Sequence, residues 1–364
     1  MTKPKVLITG ASGFIGSAVC IDLAKDFQVI AIDRRKPSEQ LIKAAPQAIW
    51  HILDIADNQA LSQVFMQTKN DFGQIDFVIH LAAYYDFDND WVEEYQRTNV
   101  DGTANVLDQS KKVGVKRLLF ASSIGAMKPP AFGSFLTEES PMSEFTPYAR
   151  SKSLGERLVT EAADQLPCII LRIAGVFSDW CELPPLHSLI KRWTSLFPMG
   201  RIIPGRGESG IPYIHIVDLV CVFRKCILLH SEIGPIKIFL ASQQGAVLHR
   251  QLYPAIRSAA GYPENLRPFY ITQKIARIGI WSQKAIGILS GHMPYERPWM
   301  LHYIDKPWTT DTRNTKRIID WDCTPELDVL RRIPEILNNR RTNPKSWEEI
   351  NISRNERRFV YKGY

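Results

Sequence analysis

At 364 residues the chain can bury a large core, as one big domain or two joined lobes, and its 45% hydrophobic and 23% charged residues are ordinary for a globular protein. This balance excludes a fibrous or disordered chain, and no stretch approaches the roughly 18 uncharged apolar residues of a membrane-spanning helix. Part of the formal charge of +7 lies in residues 331–364, with nine Lys/Arg against four Asp/Glu; without a nucleic-acid motif beside it, we read that excess as a solvated helix and basic tail.

The opening "MTKPKVLITG" enters a strand pattern over 5–9 and leaves no room for a signal peptide. Further β-branched runs at 29–32, 48–53, 77–80, 117–121 and 168–172 alternate with helix-length segments near 14–26, 57–68, 89–113 and 147–165. Such alternation predicts βαβ crossovers and a parallel sheet covered on both faces, with strands apolar throughout. After Arg172 the rhythm breaks at prolines 184, 185, 198, 204 and 212, and "PGRGESG" reads as a loop. A helix near 216–230 and a strand near 236–240 return to the sheet. From Ala241 onward the helices read as short and divided by prolines at 254, 263, 268, 294, 298 and 307. The six cysteines show no CxxC pair and no metal-ligand spacing, and most sit in apolar runs; we read a reducing, cytoplasmic setting and no metal.

The stretch "VLITGASGFIG" places Gly10, Gly13 and Gly16 between the first strand and the first helix. Gly10 permits a sharp turn, Gly13 lets the backbone touch a pyrophosphate, and Gly16 lets the helix pack against the sheet, its N-terminus favouring negative charge. Asp33 ends the second strand about 20 residues later, where an acid would accept both adenosine-ribose hydroxyls and repel a 2′-phosphate. That predicts NAD, although Arg34 and Arg35 leave NADP open. The fold expected is therefore α/β, a Rossmann-type doubly wound parallel sheet over 1–174 with 211–244 returning to it. Residues 175–210 and 245–364 would form a smaller, mostly helical substrate lobe and the basic tail.

"TGASGFIG" resembles the cofactor motif of the extended short-chain dehydrogenases/reductases, the NAD-dependent epimerase/dehydratase family. "LDIAD", "HLAA", "NVDGTANVL", "FASS", "YARSK" and "YIHIVDLV" follow in family order, and "DTRNTKRIIDWDCTP" resembles its final helix and loop. The resemblance covers nearly the whole chain. It implies that Ser12, Phe14 and Ile15 join the glycines around the cofactor and that Asp54 and Ile55 lie against adenine. Leu81, Ala82 and Ala83 would wall the pyrophosphate and nicotinamide ribose, and Ile173 and Ala174 would touch the nicotinamide side. Asn99 counts with this cofactor set as a brace for the central strands. The family commonly dimerises through the helices bearing Tyr148 and Asn99, so a homodimer is expected.

Tyr148 and Lys152, four apart, share a helix face. A free phenol is a poor base at neutral pH; a cation at Lys152 and the oxidised nicotinamide's charge would favour tyrosinate. Tyr148 would then exchange a proton with a hydroxyl while hydride passes between the same carbon and the nicotinamide. Lys152 would also bind the nicotinamide ribose, and Ser123, the last serine of "FASS", would orient and polarise the substrate oxygen.

The family's dehydratases carry an acid directly after the catalytic hydroxyl, where this chain has Ile124-Gly125. Its UDP-sugar epimerases hold phosphate through an Asn and arginines whose positions are filled here by Gly175 and Ile211 or have no counterpart; Arg192, Arg201 or Arg206 are the available replacements. Each lost charge-assisted contact costs roughly 1.5–3 kcal/mol. The reading is therefore an alcohol/ketone oxidoreductase resembling the 3β-hydroxysteroid dehydrogenase-like and dihydroflavonol-reductase-like branches, acting on a bulky, largely apolar small molecule. The alternatives are a sugar-nucleotide epimerase and a non-catalytic nucleotide sensor. In the insert 269–304, Ile275, Ile278, Trp281, Ile286 and Leu289 recur near a helical period among Lys274, Arg277 and Lys284. An apolar lid is the leading reading of that stripe, with lobe core, a subunit contact or peripheral membrane contact left open. His80 and His215 are structural or supporting; His187, His249, His292 and His302 are candidates for the pocket wall. Asp86 and Asp88 either meet substrate or cap the next helix.

Overall fold

Seven strands hydrogen-bond into one sheet: β1 (Lys5–Thr9), β2 (Gln28–Asp33), β3 (Ile49–Ile52), β4 (Phe77–His80), β5 (Arg117–Ser123), β6 (Cys168–Ile173) and β7 (Ile236–Ala241). Their order is β3-β2-β1-β4-β5-β6-β7, with every neighbouring pair parallel. The order reverses direction between β1 and β4, which opens a crevice at their C-terminal ends. The structure, a computed structural model, describes residues 3–355 except 87, 132, 197, 264 and 291–294.

The first helices are α1 (Phe14–Leu23), α2 (Glu39–Ala44), α3 (Asn58–Phe72), α4 (Gly102–Val113), α5 (Pro147–Ala162) and α6 (Pro184–Trp193). They are followed by α7 (Ile216–Leu228), α8 (His249–Ala259), α9 (Gln273–Ser290), α10 (Arg313–Ile319), α11 (Val329–Thr342) and α12 (Pro344–Asn355). Strand alternation divides the core. Val6 and Ile8 pack with Val19 and Leu23 of α1 and Val222 and Phe223 of α7, whereas Leu7 packs with Phe65, Leu107 and Val159 of α3, α4 and α5. Both faces of the central strands are buried, so their middle residues are apolar and most of their polar residues fall at strand ends. A separate apolar core joins Trp193 of α6, Tyr253 and Ile256 of α8, Ile333 of α11 and Trp347 of α12.

Several expectations need correction. The helix expected over 89–113 starts later: helical residues run unbroken from 93 to 113, a π-helix at Tyr95–Asp101 continuing directly into α4, so Asp86 and Asp88 lie at least five residues ahead of its start. Pro254 does not end a helix but lies inside α8, held by its buried neighbours Leu252, Tyr253 and Ile256. α10, placed by sequence with the lobe, packs on the sheet: the Leu240 amide donates to Thr315 Oγ1 at 2.9 Å, and Ile319 and Trp321 enter the α1/α7 core. The basic tail is partly structural, since α11 and α12 bury Ile333, Ile336 and Trp347. Among the described residues no helix is long and apolar enough to cross a membrane, and no group of three potential ligands could hold a metal.

Candidate active site

The glycines are dictated by close backbone approach. Gly10 takes φ +72°, and a Cβ there would lie 2.7 Å from the Ala82 amide nitrogen; a Cβ at Gly16 would run into the Gly10 carbonyl. At the end of β2, the Asp33 carboxylate accepts from the Ser12 and Arg35 amides, each at 2.9 Å. Arg35 lies 3.5 Å from Asp33, and Asp54 pairs with Arg34 at 3.8 Å and Arg97 at 2.9 Å. Both arginines after Asp33 therefore already face carboxylates.

Thr146 caps α5 by accepting from the Ala149 amide at 3.2 Å, and Pro147 occupies its first turn. That start fixes Tyr148, and Lys152 follows one turn later. Burial raises the Tyr148 phenol pKa, and the neighbouring Ser123 hydroxyl opposes that rise. Lys152 Nζ donates to the Ala121 carbonyl at 2.8 Å and lies 6.0 Å from the Tyr148 ring centre. Burial lowers the Lys152 pKa to about 8, with the Glu156 carboxylate pulling it back upward. The expected depression of the phenol pKa by Lys152 is therefore not borne out: burial raises it, and Ser123 is the group that opposes the rise. Adjacent Ser122 is otherwise engaged, donating to Glu156 at 2.5 Å.

One cavity of about 830 Å³ joins these features. Gly10, Gly13, Phe14, Ile15 and Gly16 line one end with Asp33, Arg34, Asp54 and Ile55. Leu81, Ala82, Ala83, Ile173 and Ala174 line its middle, beside Ser123, Tyr148 and Lys152. Two of the expected residues stand apart from this wall. Ser12 reaches the site only by its amide on Asp33. Asn99, 3% exposed, holds the Tyr84 amide and carbonyl at 2.6 and 2.9 Å and donates to Ser151 Oγ at 2.9 Å. Its side chain is consumed in tying the loop after β4 to α5, so it positions the wall rather than forming it.

The far end of the cavity lies in the lobe. Gly175 and Ile211 line it, as does Arg192, which pairs with Glu296. Of the other candidate arginines, Arg201 donates to the Arg267 carbonyl and Arg206 faces Asp305, both away from the lining. Asp86 accepts from the Tyr84 hydroxyl at 2.6 Å, and Asp88 pairs with Arg297 at 3.3 Å; both line the cavity. His80 bridges Thr9 and Thr103 at 2.7 and 2.9 Å, and burial lowers its pKa to about 3. His215 caps α7, accepting from the Val217 amide at 3.3 Å. His249 alone of the remaining described histidines lines the cavity; His187 packs on Trp347, His302 stacks on Phe145, and His292 lies outside the described residues.

Sequence reasoning missed the support beneath this wall. Arg172 makes a paired contact with Glu156, at 3.0 Å through Nε and 2.8 Å through Nη2, and Nη1 donates to the Glu138 and Ser140 carbonyls. Glu156 sits one turn after Lys152, so the pair ties α5 to β6. A lone arginine in "CIILRI" was the available signal: an unpaired charge in a two-sided core is too costly to stand alone.

A family model described as "NAD dependent epimerase/dehydratase family" matches residues 6–239. A dTDP-D-glucose 4,6-dehydratase of Dictyostelium discoideum is 28% identical over 63% of this chain and 56% of its own length. A UDP-glucose 4-epimerase of Oryza sativa is 28% identical over 59% of each. The match thus spans less than two thirds of those relatives. Among solved structures, a UDP-glucose 4-epimerase of Thermotoga maritima with UDP-glucose aligns at TM-score 0.69 and 21% identity, covering 94% of this chain and 100% of that one. A dTDP-glucose 4,6-dehydratase of Bacillus anthracis in complex with NAD aligns at 0.70 and 18%, covering 95% and 99%. With the family model running from within β1 to within β7, the chain belongs to the NAD dependent epimerase/dehydratase family.

Proposed function

We propose that this chain is an NAD-dependent oxidoreductase that moves hydride to and from a secondary alcohol or ketone of a sugar nucleotide, epimerising it, with Tyr148 as acid/base. The observation carrying this reading is the single cavity that joins the glycine turn to Tyr148, Ser123 and Lys152. The residues fit a dinucleotide: Gly10 and Gly16 leave no room for a Cβ, and Asp33, 6% exposed, ends β2 beside them. Asp33 would accept the adenosine-ribose hydroxyls, and Arg34 and Arg35, already facing Asp54 and Asp33, favour NAD over NADP. When bound, the nicotinamide supplies the hydride acceptor or donor. Tyr148 takes or returns the hydroxyl proton, and the Ser123 hydroxyl donates to the phenolate and holds the substrate oxygen. Lys152 keeps its proton at neutral pH, since its pKa stands at about 8, and stabilises negative charge on the same wall.

The named relatives and neighbours act on or hold sugar nucleotides, which supports that substrate class over the steroid- or flavonoid-like one read from sequence. Elimination is disfavoured because the apolar, buried Ile124 and the exposed Gly125 follow Ser123 where an acid would stand. A second reading keeps the chemistry and changes the substrate: Leu189, Ile280, Trp299, Met300 and Leu301 make the lobe end apolar, and Arg192 is the one replacement arginine that lines it. The test is purified protein with NAD and a panel of UDP-hexoses. Interconversion of two epimers supports the first reading; nicotinamide reduction by an apolar secondary alcohol, with UDP-hexoses inert, supports the second. Inertness to both panels contradicts the enzyme.

A further inference from the structure

The apolar stripe of α9 faces the wrong way for a lid. Its inner side, through Ala276, Ile280 and Gln283, lines the cavity. The residues that make the stripe point outward: Ile275 is 54% exposed, Ile278 69%, Trp281 52%, Ile286 64% and Leu289 89%. At positions i, i+3, i+11 and i+14, Ile275, Ile278, Ile286 and Leu289 form one row, and Trp281 widens it. Exposing this much apolar surface on one helix is costly in water and marks a contact face.

Charge on the same helix selects the occupant. α9 carries Lys274, Arg277 and Lys284 and no Asp or Glu, and the Lys284 ammonium lies 5.1 Å from the Trp281 ring centre. A second copy docked about a two-fold axis through this face would bring cation against cation. An apolar row with a tryptophan, bordered by cations alone, instead matches the boundary between acyl chains and anionic headgroups. We propose that the outer face of α9 docks this protein on an anionic lipid bilayer, with the cavity directly beneath the docked helix. Exposed Phe269 and Tyr270, just before α9, extend the apolar surface along the chain. The docking holds whichever substrate class the cavity accepts.

The test is sedimentation of the full chain with vesicles of phosphatidylcholine alone and of roughly 7:3 phosphatidylcholine:phosphatidylglycerol, at low salt and at roughly 0.5 M salt. The protein should partition onto the anionic vesicles and be released by salt. Lys274→Glu, Arg277→Glu and Lys284→Glu should each weaken partitioning by about fivefold or more. Ile278→Asn combined with Leu289→Asn should abolish it with an unchanged melting temperature, since both side chains stand in solvent. Failure to bind anionic vesicles, or binding that ignores these substitutions, overturns the proposal. So does a lipid-free dimer that the Ile278→Asn, Leu289→Asn variant dissolves, which would assign the face to a second copy.

Discussion

The two ends of the cavity are built by opposite means. At the glycine end, backbone meets backbone: Gly10 and Gly16 are fixed by the Ala82 amide and the Gly10 carbonyl, and Asp33 is aimed by two amides. At the lobe end, side chains from α6, α8, α9 and the segment after it make the wall, held by a separate core around Trp193, Tyr253 and Ile333. Main-chain sterics tolerate few replacements, whereas a wall of side chains can be rebuilt around another substrate with the sheet untouched. Ser123, Tyr148 and Lys152 lie between, on β5 and α5, so under the proposed function the chemistry would belong to the sheet and the selectivity to the lobe.

That division breaks first at Tyr148. Tyr148→Phe should lower turnover by about 10²–10⁴-fold while the cofactor's dissociation constant stays within about twofold, as stopped-flow turnover and cofactor titration would measure. Equal losses in both would make Tyr148 part of the binding wall instead. Next in size is the buried pair beneath it. Glu156→Gln leaves Arg172 without its carboxylate and should cost about 3–5 kcal/mol in denaturant unfolding, whereas Glu156→Leu with Arg172→Met should recover most of that loss.

The same substitution sharpens the pH dependence. Lys152 is protonated below about 8, so carbonyl reduction, which needs protons on both Tyr148 and Lys152, should fall as pH rises through that value. Glu156 holds the Lys152 pKa up against burial, so its removal should move the fall to lower pH. The smallest expected effect is at the lobe end. Arg192→Ala should weaken UDP binding by about tenfold to a hundredfold, the worth of one charge-assisted contact, and leave NAD binding unchanged. An unchanged UDP affinity would favour the apolar substrate.

How much of this was legible in sequence follows the same division. The strands expected at 5–9 and 77–80 are Lys5–Thr9 and Phe77–His80, because a strand buried on both faces announces itself as an unbroken apolar run. Asp33 at the end of β2 and the three glycines were readable because their positions follow from sterics and strand length. The outward direction of the α9 stripe was not: periodicity shows that a stripe exists, and only tertiary packing decides which side is covered. Asn99 was expected as a brace for the central strands; that it instead ties the loop after β4 to α5 was not legible, because its partners lie 15 and 52 residues away. Gly175 and Ile211 do line the lobe end, yet residue identities alone do not say what fills the space between them.

The central claim is that the glycine turn and Asp33 hold a dinucleotide at one end of the cavity that contains Tyr148. Its most direct test is titration of NADH and NADPH into the purified protein, followed by energy transfer from the protein's tryptophans. The account predicts saturable binding of one NADH per chain, weaker NADPH binding, and loss of both in Gly10→Val. Absence of NADH binding, or equal binding by the Gly10→Val variant, would contradict it.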